Sequence, residues 1–171
     1  MNKNFYTKFY EVLCFFELVL YNSIMIVTFC GHSLCSLNGD EMSLLEKQLI
    51  DIIENEPNCN FYLGGYGDFD KICFDLLSKL KSKYTNIKRV FITPYLYNYD
   101  KLKSLSKTYD ETMYPPIETA PPKFAIDRRN RWMIENSDML ICYITHTFGG
   151  AYKTYKYALN KNIKIINIFQ N

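Results

Sequence analysis

The stretch Ile24-Met25-Ile26-Val27-Thr28-Phe29-Cys30-Gly31-His32-Ser33 decides how this chain folds. Its first seven residues are apolar or β-branched without alternation, and a glycine, a histidine and a serine then turn the chain. An unbroken run of this kind is the pattern of a strand buried on both faces, as in a parallel sheet. The segments that follow repeat the theme. From Asp40 to Glu54, apolar residues at Leu44, Leu45, Leu49, Ile52 and Ile53 form a helical stripe that stops before Pro57. Cys59 to Leu63 reads as a second strand, closed by Gly64-Gly65. Asp68 to Tyr84 reads as a second helix, with lysines at 79, 81 and 83 gathered where the helix dipole favours cations. Lys88 to Tyr95 predicts a third strand, Phe124 to Asn136 a third helix and Met139 to Ile144 a fourth strand. Ala151 to Asn160 and Ile163 to Phe169 add a fourth helix and a last strand. Strands that alternate with helical crossovers imply an α/β fold, a mostly parallel five-stranded sheet with helices on both faces.

Moving outward from this frame, 171 residues make one domain, placed at 25–171, with 1–24 as an N-terminal extension. The extension has an apolar run from Val12 to Leu20, but Glu17 interrupts it. It is too short to span a bilayer and lacks the unbroken core of a signal peptide. Two readings stay open for it: an amphipathic helix docked on the domain or a partner, or a natural start at Met25. No membrane role follows. A composition of 48 % hydrophobic and 22 % charged residues excludes a disordered chain. A net charge of +2 gives no domain-wide attraction for a phosphate backbone, so nucleic acid is expected to be an unlikely partner.

The six cysteines sit mostly inside apolar runs and read as buried thiols of a cytoplasmic protein. No Cys-x-x-Cys occurs, and His32 and His146 are the chain's two histidines, so neither a disulfide nor a metal is expected. Leu96 to Lys123 breaks the rhythm. It carries Pro115-Pro116, Pro121-Pro122, Glu118 and several tyrosines, and reads as an ordered lid over a site in preference to a floppy linker, with a short helix from Asp100 to Ser106.

In a parallel sheet, ligands sit beyond the carboxyl ends of the strands. The segments leaving those ends are Gly31-His32-Ser33, the run from Gly64 to Asp70, Thr93-Pro94-Tyr95, and Thr145-His146-Thr147-Phe148-Gly149-Gly150. Glycine loops that run into helix N-termini, joined by both histidines, form a candidate anion site. The spacings G-x-G-x-x-G and G-x-x-x-x-G-K-[ST] are absent, which disfavours an ordinary dinucleotide site and a P-loop. Ser33, Thr145, Thr147 and Thr154 offer hydroxyls to a phosphate or cap the local turns. Arg128-Arg129-Asn130-Arg131 concentrates positive charge in one helical turn. Three arginines in four positions cannot share a face, so at least one pairs with Asp127 or meets solvent; the cluster is either a solvated helix face or one in which an arginine turns to the site and forks onto a phosphate. Asn130 supports that arrangement by bonding neighbouring loops.

Taken in order, GHS, GGYGDFD, the segment RNRWMIENSD and the segment GGAYKTYKYA resemble the SLOG superfamily, in particular its small stand-alone bacterial members of uncharacterised function. The resemblance runs from Met25 to Phe169. That superfamily is related to the lysine-decarboxylase-like phosphoribohydrolases and to the DNA-processing proteins of natural transformation. The resemblance implies a Rossmann-like three-layer sandwich that binds nucleotides or nucleotide-derived signals. Carried over by position, it places ligand contacts at Gly31, Ser33, Gly65, Asp70, Arg129, Asn130, Gly149, Gly150 and Thr154. His32, Gly64 and His146 join them from the loop reading.

The phosphoribohydrolases carry P-G-G-x-G-T-x-x-E, whose glutamate assists cleavage. Here Phe148-Gly149-Gly150-Ala151-Tyr152-Lys153-Thr154-Tyr155-Lys156 supplies no acid at that place. The favoured expectation is therefore a binding module, without a cofactor, that senses or sequesters a nucleotide-derived small molecule. The alternative is an enzyme acting at an N-glycosidic bond, with Asp70 as its acid, His32 or His146 assisting, and Asp68 or Glu118 as substitutes. A single-stranded DNA-binding role by analogy with the DNA-processing proteins is the third reading, which a charge of +2 does not support. A homodimer paired through helices 68–84 and 124–136 is expected.

Overall fold

The computed structural model describes residues 24–170. The expectations for the N-terminal extension, Cys14 included, lie outside the described residues. Six strands, not five, form one sheet: β1 (Met25–Gly31), β2 (Cys59–Leu63), β3 (Ile87–Ile92), β4 (Glu111–Met113), β5 (Met139–Tyr143) and β6 (Lys164–Asn167). Five helices connect them: α1 (Gly39–Asn55), α2 (Asp68–Leu80), α3 (Tyr99–Leu105), α4 (Ala125–Glu135) and α5 (Gly149–Leu159). The strand order is β4-β3-β2-β1-β5-β6 and every pairing is parallel. The chain starts at the centre, builds outward to β4, then crosses back to lay β5 on the other side of β1. The gap between the ends of β1 and β5 is thus the point where chain order reverses.

Both faces of the strands are covered, which is why their sequences do not alternate. Val27 and Phe29 of β1 and Ile141 of β5 pack with Leu45, Leu49 and Ile53 of α1 and Phe69 and Leu77 of α2. Cys30, Leu140 and Cys142 pack on the opposite face with Ile134 of α4 and Ala158 of α5. Cys30, Cys59, Cys73 and Cys142 are buried, and burial pushes the Cys30 thiol up to about 12 and that of Cys59 to about 11. α2 buries Phe69, Cys73, Leu76, Leu77 and Leu80, and α4 buries Ala125, Arg129, Met133 and Ile134.

Local chemistry sets the element ends. Asn38 caps α1 through its Oδ1, which accepts the Glu41 N–H at 2.8 Å, while the Glu41 carboxylate accepts the Asn38 N–H at 2.9 Å. α2 ends at Leu80, short of the expected Tyr84, where the ladder tightens to three-residue turns: the Ser82 N–H donates to the Lys79 carbonyl at 3.3 Å and the Lys83 N–H to that of Leu80 at 2.9 Å. β3 ends at Ile92 because the Thr93 hydroxyl donates to the Tyr95 carbonyl at 2.7 Å and accepts its N–H at 3.1 Å, closing a turn at Pro94.

The unexpected β4 lies in the segment read as a lid. It is held less by apolar periodicity than by Asp110. That carboxylate accepts the Arg89 N–H at 2.8 Å and its Nε–H at 3.1 Å, and pairs with Lys81 at 3.1 Å. Burial works against its charge, but these donors hold the carboxyl down at about 2. Since an unfolded aspartate titrates near 3.9, the stabilisation is complete above about pH 4 and lost as pH falls toward 2. Asp110→Asn should lower stability by about 2 kcal/mol at pH 7 and flatten the acid limb of a denaturant-midpoint profile.

Candidate functional site

A cavity of about 540 Å³ opens beyond the carboxyl ends of β1 and β5, within the roughly 300–1,000 Å³ common for ligand pockets. The fold brings Gly31, His32, Ser33, Gly64, Asp70, Arg129, Asn130, His146, Gly149, Gly150 and Thr154 to its wall, and leaves Gly65 outside it. Gly65 turns away over the Phe91 ring with a φ of +71°. Thr28, Tyr66, Ile126 and Phe148 also line the wall and were not singled out in the sequence, where they read as strand, loop or helix residues.

The α5 N-terminus forms one side. The helix begins at Gly149, two residues before the expected Ala151, so both glycines lie in its first turn. Phe148 precedes it with no side-chain cap, and no acid lies in the first turn. Gly149 has a φ of +83°, and a Cβ on Gly149 or Gly150 would meet nothing within 4 Å. The first-turn N–H groups have no intrahelical partner and no side-chain cap, and they stand at the positive end of the helix dipole on the cavity wall. Below them, Thr154 donates to the Gly150 carbonyl at 3.1 Å and accepts from Asn130 at 3.4 Å, linking α5 to α4.

Arg129 takes a different role from the expected fork onto a phosphate. It is 2 % exposed, and its Nη1 donates to the carbonyls of Gly64 and Ile92, both at 2.8 Å. A Cβ at Gly64 would lie 2.6 Å from that nitrogen, so the clamp requires glycine there. Burial pushes the guanidinium pKa down, and the negative charge of Asp70 opposes the shift. Asp70 itself accepts the N–H groups of Gly64 at 2.8 Å and Gly65 at 2.7 Å. Burial raises its pKa, while those two donors and Arg129 pull it down. In place of the expected acid, the geometry gives a carboxylate with both oxygens on the loop backbone. Asp68 is also a backbone anchor, accepting the Cys35 N–H at 3.1 Å. Of the other arginines, Arg131 pairs with Asp127 at 3.0 Å, as expected for one of the three. Arg128 lines a second cavity of about 340 Å³ on the far side of α4, together with Pro116 and Pro121 of the expected lid. The proline-rich segment covers that cavity, not the first, and Glu118 lines neither.

The histidines meet across the β1–β5 gap. Their rings stack with centroids 3.4 Å apart and 12° between planes, and His146 also packs on Phe148 at 4.0 Å. The Nε2 of His32 accepts the Thr145 N–H at 3.2 Å, which requires that nitrogen to be unprotonated. Burial, then the neighbouring His146, lowers the His32 pKa. Among the described residues no cluster of three or more His, Cys, Asp or Glu is placed to hold a metal, and no helix is long and apolar enough to cross a membrane.

Two outcomes follow. Arg129→Met should destabilise by about 3–5 kcal/mol, because it leaves two buried carbonyls without their donor and the Asp70 carboxylate without a nearby positive charge. Asp70→Asn should then cost less in that background than in the native chain, a coupling read by a double-mutant cycle in urea. For His32 the folded pKa lies below the unfolded value near 6.5, so stability is unaffected above that pH and declines as pH falls below it, down to the folded value. His32→Gln, which keeps an acceptor for Thr145, should remove that part of the decline between pH 7 and pH 5.

The chain matches no protein-family model and no curated protein. Solved structures do match. The X-ray structure of DNA processing protein A from Streptococcus pneumoniae superposes with a TM-score of 0.58 at 19 % identity, covering 86 % of this chain and 51 % of that one. DNA processing protein A from Helicobacter pylori, described for its single-stranded DNA binding mode, superposes with a TM-score of 0.52 at 15 % identity, covering 86 % of this chain and 66 % of that one. This chain thus spans about half of the first and about two thirds of the second. The second match corrects the expectation drawn from net charge: nucleic acid is no longer an unlikely partner, since a protein of this fold is described as binding it. At these identities the likeness establishes architecture: the chain has the Rossmann-like fold of the DNA processing proteins, the one that the SLOG resemblance implies.

Proposed function

We propose that this chain is a binding module for a nucleotide, held with its phosphate at the N-terminus of α5 and its base among the aromatic residues at the cavity mouth. The observation that carries the reading is the uncapped first turn of α5, open above Gly149 and Gly150 and free of acidic side chains. A phosphate satisfies such N–H groups and the helix dipole together. The rings of Tyr66, His146 and Phe148 give a base flat surfaces to stack on. The chemistry is the same for a free nucleotide, which a sensor or sequestering protein would hold, and for one nucleotide of a single strand; single-stranded DNA is the ligand named for the Helicobacter pylori neighbour.

Binding is favoured over cleavage of an N-glycosidic bond by the distribution of acids. Asp70 is the carboxylate on the cavity wall, and both its oxygens are engaged by the loop. α5 carries lysine or tyrosine where the phosphoribohydrolase motif carries glutamate.

Gly150→Asp tests the reading. The new side chain enters open space and an acid in the first turn suits the helix dipole, so thermal stability should hold or rise. Affinity for nucleoside monophosphates, measured by calorimetry, should fall at least tenfold through charge repulsion, a loss of about 1.4 kcal/mol or more. Unchanged affinity would place the phosphate elsewhere.

A further inference from the structure

The cavity beyond β1 and β5 is graded from an exposed rim to a buried floor. Leu34, Tyr66 and Phe148 stand open at the rim. The floor is lined by Thr28 and Cys30 of β1 and by Met133 and Ile134 of α4, all of them buried. Folding uses most of the polar atoms at that depth. The Cys30 thiol donates to the Ala151 carbonyl at 3.1 Å, and the Thr154 hydroxyl is engaged by Gly150 and Asn130. Two atoms are left over. The Thr28 Oγ1 and the Arg129 Nε are buried without a hydrogen-bond partner, and both residues line the cavity.

A buried hydroxyl without a partner costs stability, and valine would give a central strand the same shape without that cost. Polar atoms kept at such a cost on a cavity floor mark a place where a ligand completes the hydrogen bonds. Their chemistry defines the group that does so. An Nε–H only donates, whereas a threonine hydroxyl donates or accepts, so the ligand brings an acceptor to the first and either role to the second. A phosphate fits poorly, since it would shed its water against Met133 and Ile134. Neutral hydroxyls meet both demands. The shape of a nucleotide says which hydroxyls they are. With the phosphate at the α5 first turn and the base at the rim, C4′ and C1′ of the ribose both point upward, and the edge left to face the floor carries O2′ and O3′.

We propose that the cavity floor is a sugar subsite, in which Thr28 and the Nε of Arg129 hold the 2′ and 3′ hydroxyls of a ribose, so that the ligand is a ribonucleotide with both hydroxyls free. This rests on the nucleotide reading of the cavity and narrows its ligand. A free ribonucleoside 5′-monophosphate carries this chemistry, and so does the 3′ end of an RNA strand. A deoxynucleotide lacks one of the two hydroxyls and leaves a buried atom unpaired.

Calorimetry with the ribonucleoside 5′-monophosphates of the common bases, then with the 2′-deoxy and 3′-deoxy forms of the tightest, tests it. Loss of either hydroxyl should weaken binding about three- to tenfold, the worth of one hydrogen bond. In Thr28→Val one of these two penalties should vanish, because that hydroxyl has already lost its partner, while Thr28→Ser should keep both. Thr28→Val should also raise the melting temperature of the free chain by about 2–4 °C, since it removes an unpaired buried hydroxyl. An RNA hexamer bound as tightly as the monophosphate, and released when its 3′ end is phosphorylated, makes a strand end the ligand; a hexamer that does not bind makes it the free nucleotide. A hexamer indifferent to 3′-phosphorylation overturns the proposal. Deoxy forms as tight as the ribonucleotide, or two penalties unchanged in Thr28→Val, overturn it while the cavity reading stands on Gly150→Asp. A Thr28→Val chain less stable than the native one overturns it too, because the hydroxyl then serves the fold. If no monophosphate binds, the cavity reading fails and this one with it.

Discussion

The buried guanidinium of Arg129 is the constraint on which the site depends. A charge 98 % removed from water is costly unless it is paired and hydrogen-bonded. Its partners come from two neighbouring strand ends, the carbonyl after β2 and the last carbonyl of β3. Its Nη1 bonds, with the buried Nε left without a partner, tie α4 to the carboxyl edge of the sheet. Asp70 supplies the countercharge from the start of α2 and holds the N–H groups of the same loop whose carbonyl the arginine takes. Strand, loop and two helices on opposite faces of the sheet are joined by these two charged side chains through their bonds to the backbone.

That lock leaves its effect on the next residue. With Arg129 turned inward, Asn130 faces Thr154 and sets where α5 begins relative to α4. The α5 N-terminus is thus held in place without a capping side chain of its own, so its N–H groups stay available. Across the gap, the stacked histidines tie the loop after β1 to the loop after β5. The bonds of Arg129 and Asp70 to the backbone are made without a ligand, and a site built before binding avoids ordering costs at that moment.

This arrangement explains what was legible in the sequence. Buried parallel strands announce themselves as continuous apolar runs, so β1, β2, β3, β5 and β6 and the four longer helices were found within a few residues of their ends. β4 was missed because three residues of an edge strand carry no period, and what fixes it is a carboxylate contacting a residue 21 positions away. The arginine cluster was read correctly as a set that cannot share one face. Which member turns inward, and toward which acceptors, depends on carbonyls 65 and 37 residues distant, and no local pattern encodes that. Asp70 was found for its place in a glycine loop, and its role follows from the hydrogen bonds that only the folded loop reveals.

Net charge misled for a physical reason. The total of +2 sums faces that do not act together. α1 carries Asp40, Glu41, Glu46, Asp51 and Glu54 against Lys47, and it packs on one face of the sheet. α5 has Lys153 and Lys156 with no acid, and it packs on the other. With helices about 10 Å in diameter on either side of a sheet, the two sets of charges lie roughly 20 Å apart. Screening at physiological salt decays over about 8 Å, so an anion approaching α5 is little affected by the carboxylates of α1. A nearly neutral chain can present a locally cationic surface, and the sign of the face that the cavity opens on bears on binding more than the sum does.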